Sequence, residues 1–220
     1  MKSEREMRKA LGHGWLWILL LLIFLWLPEA IAEVKPRFII LPFLIEREPV
    51  CPICRRVFQR GEILPGSQNT LTRILYSKID ARGIFILPPL EKVEEAFSNW
   101  ERKKFEEKPL SSSIQFGKEL QGDYILIGFV FRYEERVGSS VGVEKPASVA
   151  FDFHLFRLRD GMEVWRGRMD ETQRPLSENL LRIGSFIRGK ARWLTAEELS
   201  SIGLDEALRS LPGIKELEEK

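Results

Sequence analysis

Cysteine and histidine are scarce in this chain. Its 220 residues hold two of each. Both cysteines fall in one Cys-x-x-Cys, Cys51 and Cys54, within the stretch "EREPVCPICRRVFQRG". That count excludes a disulfide-rich scaffold and a four-cysteine zinc ribbon. An excess of either charge is also missing. With 34 basic against 32 acidic residues and a formal net charge of +2, nothing pulls the whole chain towards nucleic acid. Internal repeats and low-complexity tracts are absent. The longest apolar run, Trp15–Leu27, has 13 residues. As a helix it would rise about 20 Å, short of the ~30 Å of a bilayer core.

The surroundings of that run read as an export signal. Lys2, Arg5, Arg8 and Lys9 precede it, Pro28 breaks it, and Ala30-Ile31-Ala32 offers a small-residue cleavage site. Residues 1–32 are therefore expected to be a signal peptide cut after Ala32, with an uncleaved inner-membrane signal anchor as the alternative. Residues 33–220 are expected to form a single α/β domain, long enough to bury a real core. Within it, 173–220 form a helical C-terminal extension. The expected location is the periplasm or the outer-membrane surface.

Along this body, Arg37–Ile45 "RFIILPFLI" is an apolar run of strand length, interrupted or ended by Pro42. From Asn69, Leu71, Ile74, Leu75 and Ile79 share one helical face up to Gly83. Ile84–Leu87 reads as a second short strand. Pro88–Pro89 opens a helix with Leu90, Val93, Phe97 and Trp100 on its apolar face. Glu101–Lys108 is a solvated charge run, and a short helix ends at Gly122. Tyr124–Tyr133 "YILIGFVFRY" is the strongest strand. Ile125, Ile127, Phe129, Phe131 and Tyr133 are placed on one face, with Gly128 on the other allowing close packing. Two further strands meet at Asp160–Gly161, a hairpin signal, and complete an antiparallel meander. The tail is helical: Ser177 caps one segment, Thr195 and Glu198 form a capping box, and Leu204, Ala207, Leu208 and Leu211 face the core before Pro212–Gly213. The fold class is an α/β (α+β) sandwich, a mixed sheet with an antiparallel C-terminal meander and helices packed on it.

That order, with "FIILPFLIE", "LTRILYSKIDARGIFILPPLEKVEEAF", "LQGDYILIGFVFRY" and "VAFDFHLFRLRDGMEVWRGR", resembles bacterial envelope proteins of the CsgG, LpoB and TolB N-terminal-domain type. The resemblance covers about Arg37–Thr172. It implies a fold like the anticodon-binding domain of aminoacyl-tRNA synthetases and a role in assembly, scaffolding or activation. It carries over no catalytic residue. The chain departs from the pattern in having no lipobox cysteine and in having the cysteine loop. The connection Gly138–Pro146 is too short and polar for a pore-forming hairpin.

Three readings of Cys51 and Cys54 follow from their context. In an oxidising compartment a local disulfide is expected. A redox pair, with Arg55 and Arg56 stabilising a thiolate, is the second. A zinc site is the third. It needs about four ligands, so Cys51, Cys54 and His154 would require carboxylates or a second chain. His154, in "FDFHLF" beside Asp152, is read as a surface histidine on the polar side of an alternating strand. A triad with Ser148 fails, because six strand residues span about 20 Å. The paired acids Glu134–Glu135 and Asp170–Glu171 read as solvated strand ends. Arg182, Phe186, Arg188, Lys190, Arg192 and Trp193 are the candidate interaction surface, suited to an acidic partner or anionic headgroups.

These readings assign no catalytic residue, cofactor or metal. The expected function is a non-enzymatic envelope accessory or adaptor acting through contacts with other envelope proteins, with peripheral membrane contact through the basic–aromatic group and no nucleic acid. The alternatives are a periplasmic thiol–disulfide oxidoreductase using Cys51 and Cys54, and a small-molecule or lipid carrier.

Overall fold

A computed structural model describes residues 35–100, 105, 107–174 and 192–219. The compact body runs from Lys35 to Lys220. Its elements, in order, are β1 (Phe38–Ile40), β2 (Leu44–Ile45), α1 (Ser67–Asp80), α2 (Leu90–Ser98), α3 (Pro109–Glu119), β3 (Tyr124–Glu134), β4 (Val137–Gly138), β5 (Val143–Lys145), β6 (Ser148–Arg157), β7 (Met162–Thr172), α4 (Ala196–Leu208) and α5 (Ile214–Glu219). This is the expected α/β class. The expected helix capped by Ser177 lies outside the described residues, as does most of the charge run.

The main sheet has five strands. β1 and β2 pair in parallel with successive parts of β3, which is antiparallel to β6, and β6 to β7. Proline has no donor N–H, and the single apolar run 37–45 accordingly breaks around Pro42 into β1 and β2. Gly161, in a left-handed conformation at φ 72°, makes the tight turn between β6 and β7. β4 and β5 form a separate two-stranded ribbon within the connection between β3 and β6.

Both faces of the sheet are covered. On one, Phe38, Ile40, Leu126, Phe151, Phe153 and Leu155 pack with Leu71, Leu75 and Ile79 of α1 and Leu204 and Leu208 of α4. On the other, Ile39, Ile125, Ile127, Phe129 and Phe131 pack with Val93 of α2, Phe116 of α3, and Cys51 and Phe58 of the cysteine loop. Burial on both faces is why β3 reads as a near-continuous apolar run.

Two expectations need correction. Ile84–Leu87 is not a strand. It makes a single bridge, Ile86 to Arg37, because left-handed Gly83 and the donor-free Pro88–Pro89 leave room for one rung. Tyr133 lies on the face opposite Ile125–Phe131, because a bulge between Val130 and Arg132 reverses the alternation. Gly128 behaves as expected. A Cβ there would sit 2.5 Å from the Phe43 ring.

Arg157 ties the β6–β7 turn to the C-terminal helix. It holds Asp160 through a 2.7 Å ion pair and donates to the carbonyls of Leu217 and Glu218 at 2.9 and 3.0 Å. The hydrogen bonds from Arg157 bring the Asp160 carboxyl down to about 2.

Gly128→Ala is expected to destabilise the fold by about 1–3 kcal/mol through overpacking against Phe43, read by thermal or chemical unfolding; an unchanged midpoint would refute the contact. The Asp160 pair has a depressed folded pKa, so its stabilisation is present above the unfolded value of about 3.9 and fades as pH falls towards about 2. The stability difference between wild type and Arg157→Ala should therefore shrink over that interval in pH-dependent melts.

Candidate functional site

The segment between β2 and α1 contains little regular structure, yet it is held tightly. Val50 and Val57 form an isolated antiparallel bridge, and Cys51 N–H donates to Arg56 O at 2.8 Å. Between them the chain turns through Pro52-Ile53-Cys54, and Arg55 adopts a left-handed φ of 60°. Phe58 stacks face to face on Phe131, with centroids 4.1 Å apart and planes 8° from parallel. Arg132, 3% exposed, then fastens the loop's far end. It donates to Gln59 O at 2.9 Å, to Ser148 Oγ at 2.7 Å and to Asp170 Oδ1 at 2.7 Å.

This anchoring lays the Cys-x-x-Cys turn against the middle of β6. Asp152 and His154, two residues apart, point to the same face of that strand, and the turn closes over them. Ligand-type atoms of Cys51, Cys54, Asp152 and His154 all lie within 4.8 Å of one another. Cys51 Sγ is 3.3 Å from His154 Nε2, Cys54 Sγ is 3.6 Å from Asp152 Oδ2, and Asp152 Oδ2 is 3.4 Å from His154 Nε2. Cys51 is fully buried, Asp152 is 2% and His154 1% exposed, and Cys54 is half-buried. The other imidazole nitrogen, Nδ1, donates to Glu163 Oε1 on β7 at 2.7 Å. The backbone N–H groups of Ile53 and Cys54 donate to Cys51 Sγ at 3.4 and 3.3 Å. Asp152 Oδ1 is buried with no hydrogen-bond partner.

The electrostatics follow from burial. Desolvation, reinforced by the Asp152 charge, pushes the Cys51 thiol far above its ordinary value. Desolvation alone would lower His154, but hydrogen bonds and charges from Asp152 and Glu163 outweigh it and raise the imidazole. A redox cysteine needs the reverse, an accessible sulfur with a depressed pKa at the start of a helix. Here Cys51 is covered and the segment is a turn. The arrangement around Cys51 therefore suits a buried cation-binding or polar structural centre.

Several expectations change. Cys51 and Cys54 are unbonded in this structure, each sulfur being directed to a group on β6. His154 is not a surface residue, because the cysteine turn covers the face of β6 that alternation marks as polar. Ser148 bonds Arg132 and Thr172, apart from the imidazole. The carboxylates have structural partners. Asp170 holds Arg132, Glu134 pairs with Lys145, and Glu135 accepts from Ala196 N at the start of α4. Of the candidate interaction surface, Arg182, Phe186, Arg188 and Lys190 lie outside the described residues. Arg192 pairs with Glu198, and Trp193 N–H donates to Ser140 O at 2.9 Å. Sequence reasoning set Asp152 beside His154 on one strand face but missed Glu163 and the cysteine turn that covers the pair. The signal for Asp152 was the Asp-x-His spacing, which puts both groups on one strand face.

No family model matches the chain, and no curated protein matches it. Solved structures similar to it include the PelC dodecamer from Paraburkholderia phytofirmans, at 12% identity over 79% of this chain and 86% of that one, TM-score 0.46. Lipoprotein GNA1162 from Neisseria meningitidis matches at 13% identity over 71% and 98%, TM-score 0.44. The LpoB C-terminal domain from Escherichia coli matches at 12% identity over 63% and 84%, TM-score 0.39.

In reduced, chelator-treated protein, brief alkylation under native conditions should label Cys54 and spare Cys51, read by peptide mass spectrometry. Equal labelling would contradict the burial of Cys51.

Proposed function

We propose that this chain is an exported, non-enzymatic accessory protein of the bacterial envelope that acts by holding other envelope proteins. The observation that carries this reading is an open cleft of about 1340 Å³ beside the cysteine loop. Its walls combine Ile45, Phe97, Trp100 and Phe105 with the charged Glu46 and Arg47. Ile45 on the short strand β2 is 45% exposed. Apolar, aromatic surface framed by charge is the composition of a protein-contact site, and β2 has a backbone edge at which an extended partner segment can add. The cleft exceeds the ~300–1000 Å³ usual for small-ligand pockets, which favours a peptide-like occupant over a small-molecule cargo.

The amino-terminal pattern supports the export part. The compact body begins at Lys35, just beyond the expected cleavage point after Ala32. No described helix is long and apolar enough to cross a membrane. The burial of Cys51 speaks against the oxidoreductase alternative.

A photo-crosslinking residue at Ile45 or Trp100 should trap a distinct envelope protein in fractionated cells, whereas one at exposed Glu197 on the opposite layer should not. Recovery of the chain in the cytoplasm with its amino terminus intact, or equal trapping at all three positions, would overturn the reading.

A further inference from the structure

We propose that Cys51, Cys54, Asp152 and His154 form a four-coordinate zinc site that pins the cysteine loop to strand β6. Tetrahedral zinc takes sulfur at about 2.3 Å and nitrogen or oxygen at about 2.0–2.2 Å. Those bond lengths place a sulfur about 3.6 Å from a neighbouring nitrogen or oxygen ligand, and a nitrogen about 3.4 Å from an oxygen. The observed separations are 3.3 Å for Cys51 Sγ to His154 Nε2, 3.6 Å for Cys54 Sγ to Asp152 Oδ2, and 3.4 Å for His154 Nε2 to Asp152 Oδ2. Three of the six ligand-atom pairs thus stand near the distances a single ion would impose, and all four atoms lie within 4.8 Å of one another.

The hydrogen bonding around the group points the same way. Glu163 accepts a hydrogen bond from His154 Nδ1–H, which sets the ring so that Nε2 faces the Asp152 oxygen and the Cys51 sulfur. In the metal-free chain protons hold these groups together, the Cys54 thiol donating to Asp152 Oδ2, and a cation would replace those protons at one shared centre. Asp152 Oδ1 has no partner, and a carboxylate this buried needs a positive charge nearby. The N–H groups of Ile53 and Cys54 donating to Cys51 Sγ are the bonds that stabilise a thiolate ligand.

The donor set selects the ion. Two sulfurs, one imidazole and one carboxylate in tetrahedral reach suit zinc and disfavour calcium or magnesium, which take oxygen. On binding, both thiol protons leave to solvent and the two sulfurs bind as thiolates, so the zinc, two thiolates and one carboxylate carry one net negative charge. Arg56, Arg166 and Arg168 line the hollow of about 550 Å³ that borders Cys54, Asp152 and His154, and their charge balances it. All four positions belong to the protein, which makes the site structural in type rather than one kept open for substrate. It joins residues 98 and 103 positions apart, so the ion closes a long loop where a Cys51–Cys54 disulfide would close a very short one.

The test uses the full chain, purified reduced, and does not depend on any partner or on location. Elemental analysis and titration with zinc and with cobalt should give about one ion per chain. The cobalt form should show thiolate-to-metal charge transfer and the intense visible bands of tetrahedral coordination. Cys54→Ser should abolish the charge-transfer pattern of a two-thiolate site and weaken zinc binding at least about 100-fold. Glu163→Gln, which alters a positioning residue, should keep the cobalt bands but weaken binding about 10- to 100-fold. Should Cys54→Ser fail to fold, the wild-type cobalt spectrum decides. Failure of folded, reduced wild type to take up either metal, weak octahedral cobalt bands alone, or equal zinc affinity in wild type and the two variants would overturn the proposal.

Discussion

The structure depends on strand β6 being buried on both faces while carrying polar side chains into the interior. All ten of its residues are buried, including Ser148, Asp152 and His154. An apolar strand could be covered by any apolar segment. This one requires a cover that also supplies polar partners, since a buried carboxylate or imidazole without them costs several kcal/mol. The cysteine loop is that cover. Its sulfurs meet Asp152 and His154, while Gln59 O and Asp170 share Arg132, whose Nε donates to Ser148.

This explains why a loop with so little regular structure is ordered in a layer otherwise built of helices. α2 and α3 cover part of the second face of the sheet, and the loop completes it with Phe58 stacked on Phe131 and Cys51 in the apolar cluster. The same placement sets the loop beside the cleft. Pro52 and Arg55 of the cysteine turn line it with Ile45 and Trp100. A centre that fixes the turn therefore also fixes one wall of the proposed contact surface, which links the chemistry of the loop to the function proposed for the chain.

Features written in local chemistry were readable from the sequence. The Thr195–Glu198 capping box, the Asp160–Gly161 turn and the break around Pro42 each depend on a few neighbouring residues, and each stands as read. The meander was readable too, because strand period and turn chemistry agree there. The site was not. Alternation in "FDFHLF" marks Asp152 and His154 as outward-facing, and that rule presumes water on the polar face. A segment about 100 residues earlier in the chain covers it instead, and no short-range pattern encodes such an arrangement. The partners of Cys51 and Cys54 on β6 were out of sight for the same reason.

The proposed zinc ion would organise the polar interior of this sheet. X-ray absorption at the zinc edge on the reduced, zinc-loaded chain tests it most directly. A four-coordinate shell of two sulfurs at about 2.3 Å and two nitrogen or oxygen atoms at about 2.0–2.2 Å is expected. A shell of light atoms alone, with no sulfur scattering, would contradict it.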